Sequence, residues 1–347
     1  MGKSYVKAIL VLFTCLLMGA LVVGCGQDKA NQEGNEQKPG KTVSINLAHV
    51  LPESAASAQA CVKFKEIVEA ESNGEIIVKL FPASALGNER DINENLNNGS
   101  LQMIYTSPGA MGAAFYPELQ VLDAPFLFRD ADHAMQLSRG DTIMRDFVKE
   151  IKEKTNIQIL DLWYRAPRYF YTVNKPIVTP DDLKGVKLRV PEIEIYFESI
   201  GGLGASVTPV AYGETYGALQ QKVVEGLEGP LDLTWGMKFQ EVTKYASMAG
   251  WNSGLGPVAI NKNFFNNLTP EQQEIIQNAA IAAGDYNTQV TLDGEKELLE
   301  NFKNAGVTIV EPDIEAFYAK AEEIIPKISK VWNDNGRDIY GQIKAIK

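Results

Sequence analysis

Two histidines, His49 and His133, and three cysteines are all that 347 residues hold, too few for a zinc centre built from several Cys and His ligands. The sequence has no HExxH, CxxC, GxxxxGK[ST] or GxSxG pattern, which argues against the zinc-peptidase, dithiol, P-loop and serine-hydrolase chemistries those patterns serve. Positive charge is also scarce: 33 Lys and Arg face 44 Asp and Glu, a formal net charge of −11. So acidic a surface disfavours non-specific nucleic-acid binding, although a local basic pocket stays open. What is present is an ordinary globular mixture, 45% hydrophobic and 22% charged, which excludes a disordered, collagen-like or multi-span membrane chain. At about 100–200 residues per domain, the length suggests two domains or one large one. No cofactor and no metal are called for.

The first 24 residues read as an address. Lys3 and Lys7 precede an apolar run from Ala8 to Gly24 that contains no acid, the charged and hydrophobic regions of a secretory signal. The run falls just short of the ~20 residues that span a bilayer. It ends in Val22-Val23-Gly24-Cys25, which resembles the bacterial lipobox, whose cysteine is lipidated and becomes the mature N-terminus. Residues 1–24 are therefore expected to be a lipoprotein signal peptide. Cys25 is the expected lipidation site, and 25–41 a flexible polar tether at the extracytoplasmic face of the membrane. Cys61, in a helical pattern, reads as a buried free thiol.

From Thr42 onward short β-like runs alternate with helical stretches, the pattern of an α/β protein. Strands are expected at 43–47, 75–81, 101–105, 157–164, 169–173 and 186–190. Helices are expected at 55–71 and at 89–98, the latter stopped by Gly99. Thr179-Pro180-Asp181-Asp182 and Thr269-Pro270-Glu271-Gln272 are helix starts with capping-box spacing. The second opens a pattern reaching about Asn304, roughly 50 Å at 1.5 Å per residue. Such a helix either breaks at Gly284 or Gly294 or runs across two domains.

Several stretches together carry a family resemblance. Leu86-Gly87-Asn88-Glu89-Arg90, Asn98-Gly99-Ser100-Leu101-Gln102-Met103, Pro117-Glu118-Leu119 and Ala124-Pro125-Phe126-Leu127 resemble the first half of a TRAP-transporter solute-binding protein (DctP family). Asp182-Leu183-Lys184-Gly185-Val186-Lys187-Leu188-Arg189-Val190-Pro191 resembles that family's "DLKGLKxRxP". Thr208-Pro209-Val210-Ala211-Tyr212, Tyr216, Ala218-Leu219-Gln220 and Val224-Glu225-Gly226 follow its later motif. The match runs in order from about Val43 to the C-terminus.

The resemblance implies an α/β, two-lobed periplasmic-binding-protein-like fold, with a ligand cleft between the lobes and a long helix spanning both. Lobe I is expected at 42–165 plus 255–294, and lobe II at 166–254 plus 295–347. It also implies a monomeric carrier of a small organic acid that serves the membrane permease subunits of a TRAP transporter. By the same resemblance Arg189 matches the carboxylate-binding arginine, a role suited to a planar guanidinium that stays charged when desolvated. Arg168 matches the second pocket arginine, with Arg165 competing for that role, and the two are expected to converge with Arg189 on one carboxylate.

Tyr212 takes the aromatic position after Thr-Pro, as ligand platform or lobe core. Thr106 and Ser107 follow a strand where the family places pocket polar groups, and Glu89 begins a helix lining the cleft. Gly229 stands where the family usually has asparagine, Glu192 adds an acid, and Trp235 and Trp251 fall in stretches lining or approaching the cleft or in the core. These departures point to a bulky acid with an amine or several hydroxyls, and away from sialic acid and simple C4-dicarboxylates. An arginine lining an open cleft is also expected to be solvated, so its removal should cost less than about 1 kcal/mol of stability without ligand.

Two other classes are compatible with the sequence. One is a lipoprotein presenting ligand to a sensor. The other is a secreted enzyme acting on an organic acid, for which the pairs Asp181/Asp182 and Glu322/Glu323 are available. Their places at a helix cap and on an exposed helical face read as capping and solvation.

Overall fold

A computed structural model describes residues 42–140, 142–333 and 336–346. The expected signal segment, Cys25 and the expected tether lie outside the described residues. Nine strands form one mixed sheet: β1 (Val43–Ala48), β2 (Ile76–Phe81), β3 (Met103–Tyr105), β4 (Ile157–Thr172), β5 (Lys187–Val190), β6 (Ser206–Pro209), β7 (Gly226–Gly229), β8 (Tyr245–Asn261) and β9 (Thr308–Val310). Their order is β2-β1-β3-β8-β4-β7-β5-β6, with β9 also on β8. Two long strands organise everything else. β4 and β8 run antiparallel along their whole lengths, and the elements between Val173 and Lys244 are inserted between them. At one end of this ribbon β8 pairs with β3 through Val258–Ile260. At the other end it pairs with β9 through Tyr245–Ser247, and β4 pairs with β7 through Tyr169–Thr172. The ribbon therefore belongs to two sheet halves at once.

Helix α1 (Ala56–Glu71) packs its Ala60, Cys61, Phe64 and Val68 face against β1 and β2. Cys61 is fully buried, and burial pushes its thiol pKa well above the usual range, so it is inert filling for that core. Helix α2 (Glu89–Asn98) begins in a capping box. The Asn88 side chain accepts the Asp91 N–H and Asp91 accepts the Asn88 N–H, each at 3.0 Å. It ends at Gly99, whose φ of 86° suits glycine. Helix α3 spans Pro108–Phe115.

Two expectations change, and an alternative left open for the long helix is decided. Strands 157–164 and 169–173 are a single strand, because register shifts around Ala166-Pro167 let the ribbon absorb a residue that has no N–H to donate. The Thr179 capping box starts only a 3-10 turn, Pro180–Leu183. The helix after Thr269 runs unbroken over 35 residues, Pro270–Asn304. Its Gly284 is where it crosses β4: a Cβ there would stand 2.5 Å from Asp161 Oδ2 and 2.6 Å from Trp163 Cδ1. The Trp163 indole donates to the Ala280 carbonyl at 2.9 Å, and Asn287 donates to that of Tyr164 at 2.7 Å. The glycine thus sets a close helix-to-strand approach.

Just past β1, His49 is 2% exposed, and burial lowers its imidazole pKa to about 4. An unfolded chain takes a proton near pH 6.5 that the folded chain refuses, so this residue's contribution is lost as pH falls from 6.5 to 4. The loss is on the order of 3 kcal/mol. Asp161 works in the opposite sense, because burial raises its pKa to about 6 despite Arg139 at 3.4 Å, so its contribution weakens as pH rises from about 4 to 6. The share of His49 is read as the stability difference between wild type and His49→Gln. That difference should shrink by about 3 kcal/mol between pH 7 and pH 4. A difference independent of pH would refute it.

Candidate functional site

Arg189 lies on β5, whose parallel neighbours are β6 and β7. Its Nε donates to the Val210 carbonyl at 3.0 Å, and its guanidinium carbon sits 5.3 Å from the Tyr212 ring centroid. The side chain is 2% exposed, and Nη1 is buried with no hydrogen-bond partner among the described residues. Burial works against the charge and pulls the pKa below the usual arginine range, while Glu228 and Tyr212 oppose that shift. An arginine remains a cation in such surroundings. The result is a desolvated cation with a spare donor among the described residues.

Arg168 lies near enough for its charge to act on Arg189 and Tyr212, but it is already paired. Its Nε and Nη2 donate to Glu228 Oε2 and Oε1 at 2.5 and 2.7 Å, and Glu228 also accepts the Trp251 indole N–H at 3.2 Å. Glu228 is fully buried and Arg168 6% exposed. Burial opposes the charge on Arg168, and Glu228 outweighs it, so the pKa lies above the usual range. Arg165 is paired too, with Asp123 at 2.5 Å, and Asp123 in turn accepts the Gly109 N–H of α3 at 2.8 Å.

Residues three apart on a regular strand face opposite sides. Here Arg165 pairs with Gly254 and Arg168 with Asn252, so two residues of β4 oppose one of β8. The extra residue turns both arginines to one side, where Arg165 donates to the Tyr196 hydroxyl at 3.1 Å and Arg168 lies 5.1 Å from the Tyr196 ring centroid. Asp123 and Tyr196 escape the sequence reading because only this pairing brings them in.

The other expected residues divide among three spaces. Glu89 Oε1 accepts the Ser107 N–H at 3.0 Å and the Thr106 hydroxyl at 3.4 Å, and Asn93 donates to Thr106 at 2.9 Å. Ser107 also caps α3 through the Ala110 N–H. A cavity of ≈ 550 Å³ is bordered by Arg189, Tyr212, Glu192 and Glu89, a size usual for small-molecule sites. Glu89 also borders a ≈ 50 Å³ space with Thr106, Ser107 and Arg168. Trp235 borders a third cavity of ≈ 280 Å³, with Tyr169, Asp232 and residues of the long helix.

Gly229 and Trp251 border none of the three. Trp251 is fully buried in the core, edge-on to Tyr196, because its β8 position is covered on both faces. Gly229 is inside the sheet opposite Tyr169. In this conformation the structure brings Arg189, Tyr212, Glu192 and Glu89 to one cavity and leaves Arg168 committed to Glu228. The expectation of a solvated Arg189 is corrected: Val210 and Tyr212 cover it.

Most of the chain matches known proteins. The family model for bacterial extracellular solute-binding protein, family 7 (DctP), matches residues 47–331. The chain is 34% identical over 289 residues to the ectoine/5-hydroxyectoine-binding periplasmic protein of Ruegeria pomeroyi, covering 82% of this chain and 84% of the relative. Among solved structures, a TRAP periplasmic solute-binding protein of Ochrobacterium anthropi with bound L-fuconate superposes with a TM-score of 0.81 and 32% identity, over 88% of this chain and 99% of the other. One of Sulfitobacter with bound β-D-galacturonate gives 0.82 and 28%, over 87% and 100%. The chain thus belongs to the DctP family of bacterial extracellular solute-binding proteins, the two-lobed binding proteins of TRAP transporters, which capture a solute and leave it unchanged.

Proposed function

We propose that this protein captures a small hydroxylated organic acid, with Arg189 as the residue that holds the carboxylate. One observation carries the assignment: Arg189 Nη1 is buried and unpartnered while Nε is fixed on Val210. A carboxylate is the ligand group that meets a guanidinium with two oxygens. Tyr212 supplies a ring face beside it, and the carboxylates of Glu89 and Glu192 bordering the same cavity are acceptors for ligand hydroxyls. The acids named in two structural relatives, L-fuconate and β-D-galacturonate, are of this class. Arg168 acts indirectly here, holding Glu228 and the sheet behind the site.

The lobes proposed are 42–165 plus 255–294 and 166–254 plus 295–347. They meet where β4 and β8 change partners, and they close on the ligand by hinging at that ribbon. The closed monomer then passes the acid to the permease subunits. Calorimetric titration of residues 26–347 with L-fuconate, D-galacturonate and a panel of sugar acids tests the class. One of them should bind one to one and be recovered unchanged, and binding of neutral sugars alone would overturn it.

The proposal includes a lipid anchor at Cys25. Its support is the Val22-Val23-Gly24-Cys25 motif after a short apolar run, and paired acyl chains give stable attachment. Cys25→Ser should abolish incorporation of labelled fatty acid and leave the protein in the medium or unprocessed. Equal labelling of the variant would dismiss the anchor.

A further inference from the structure

Helix α1 begins without a cap of its own. Ala55 at the N-cap makes no side-chain hydrogen bond, and no acid stands in the first turn. A helix start leaves backbone N–H groups without internal partners and carries partial positive charge. The acceptor comes from far along the chain: Asp232 Oδ2 takes the Ala56 N–H at 3.1 Å. Asp232 belongs to the short helix Leu231–Gly236, which follows β7 within the segment inserted between β4 and β8. Helix α1 instead packs on β1, β2 and the long helix. The bond therefore joins the two sheet halves rather than two parts of one.

The short helix meets the same turn a second time. A Cβ on Gly236 would stand 2.5 Å from Ser54 Oγ and 3.0 Å from Pro52 Cγ. Gly236 itself borders none of the three cavities, while its neighbour Ser54 and Asp232 border the ≈ 280 Å³ one.

We propose that Asp232 is a positioning residue that latches the two lobes, capping α1 only when they are closed and thereby setting the closed fraction. The inference rests on the two-lobe capture described above. When the lobes part, both the carboxylate and the helix start are hydrated, so the bond favours the closed form selectively. A ligand shifts the equilibrium only by its preference between the two forms, and the latch sets the ratio on which that preference acts.

The test uses residues 26–347 with one fluorophore at Glu66→Cys on α1 and one at Lys244→Cys, read by single-molecule energy transfer without ligand and with L-fuconate or D-galacturonate. Asp232→Ala should lower the closed-to-open ratio about fivefold, the scale of losing an N-cap. Asp232→Asn, which keeps an acceptor oxygen, should recover part of the ratio. Gly236→Ala, which wedges the seam without touching the carboxylate, should lower it as well. Ligand-free melting temperatures should stay close to wild type, because the open form lacks the bond. A fixed structural cap would give the reverse, a lower melting temperature with an unchanged ratio, and would overturn the latch. Exchange absent in wild type, with and without both acids, would instead overturn the two-lobe capture itself.

Discussion

Arg189→Ala is expected to weaken binding of the captured acid at least 100-fold, because two hydrogen bonds to a charged group contribute about 3 kcal/mol or more together. Arg189→Lys should fall nearly as far. It keeps a positive charge but loses the planar fork and the Nε bond to Val210 seen at 3.0 Å. Stability without ligand should also drop, by about 1–3 kcal/mol, since the Val210 carbonyl loses a buried donor. Relief from burying a guanidinium, whose pKa the surroundings already depress, keeps that cost at the low end. Calorimetry with the acid that binds wild type, beside chemical denaturation of the empty variants, separates the two effects. Binding at wild-type strength in Arg189→Ala would make this arginine a fold residue and leave the carboxylate without its holder.

Glu228→Ala should be the most destabilising single change, at about 3–5 kcal/mol, the cost of removing one partner from a buried ion pair. Glu228 is fully buried and answers both Arg168 nitrogens and the Trp251 indole. Without it a guanidinium 6% exposed stays in the core with no counter-charge. Glu228→Gln should cost less, because the amide oxygen still accepts while one Arg168 donor faces an NH₂ group. Denaturant midpoints with an unchanged slope would isolate the effect. A loss under about 1 kcal/mol would show that the pair is bathed in water and that the packing of Trp251 carries the region.

The parts of the fold legible in the sequence are those whose cause is local. Helix α2 runs from Glu89 to Asn98 as expected because its capping residues and its terminating Gly99 lie within a dozen positions. Strand β8 is the counterexample: the longest strand in the protein has no alternating pattern, being covered on both faces, and it carries Gly250, Gly254 and Gly256. No strand is expected there from the sequence alone. Two of the glycines mark close approaches, since a Cβ would meet Leu122 O at 3.0 Å from Gly254 and Tyr105 Oη at 2.6 Å from Gly256. The same limit governs the site. Arg189 is legible through its motif, whereas the pairing of Arg168 with Glu228 depends on how β4 meets β7, and the burial of Trp251 on how it meets β8, both far downstream in the chain.

The β4–β8 ribbon also dictates when this protein can fold. Met103 pairs with Ile260 and Ile157 with Asn261, so the first sheet half waits for residues made more than a hundred positions later. The second half waits longer, for β9 at Thr308–Val310. Contacts so distant along the chain must bear the entropy of closing large loops before they stabilise anything, which slows folding. A nascent chain that ends before Tyr245 has β1 to β7 and no strand to join them, so neither half is a unit that an N-terminal fragment could complete. Topology thus makes folding late, dependent on nearly all of the chain being available before either half can close.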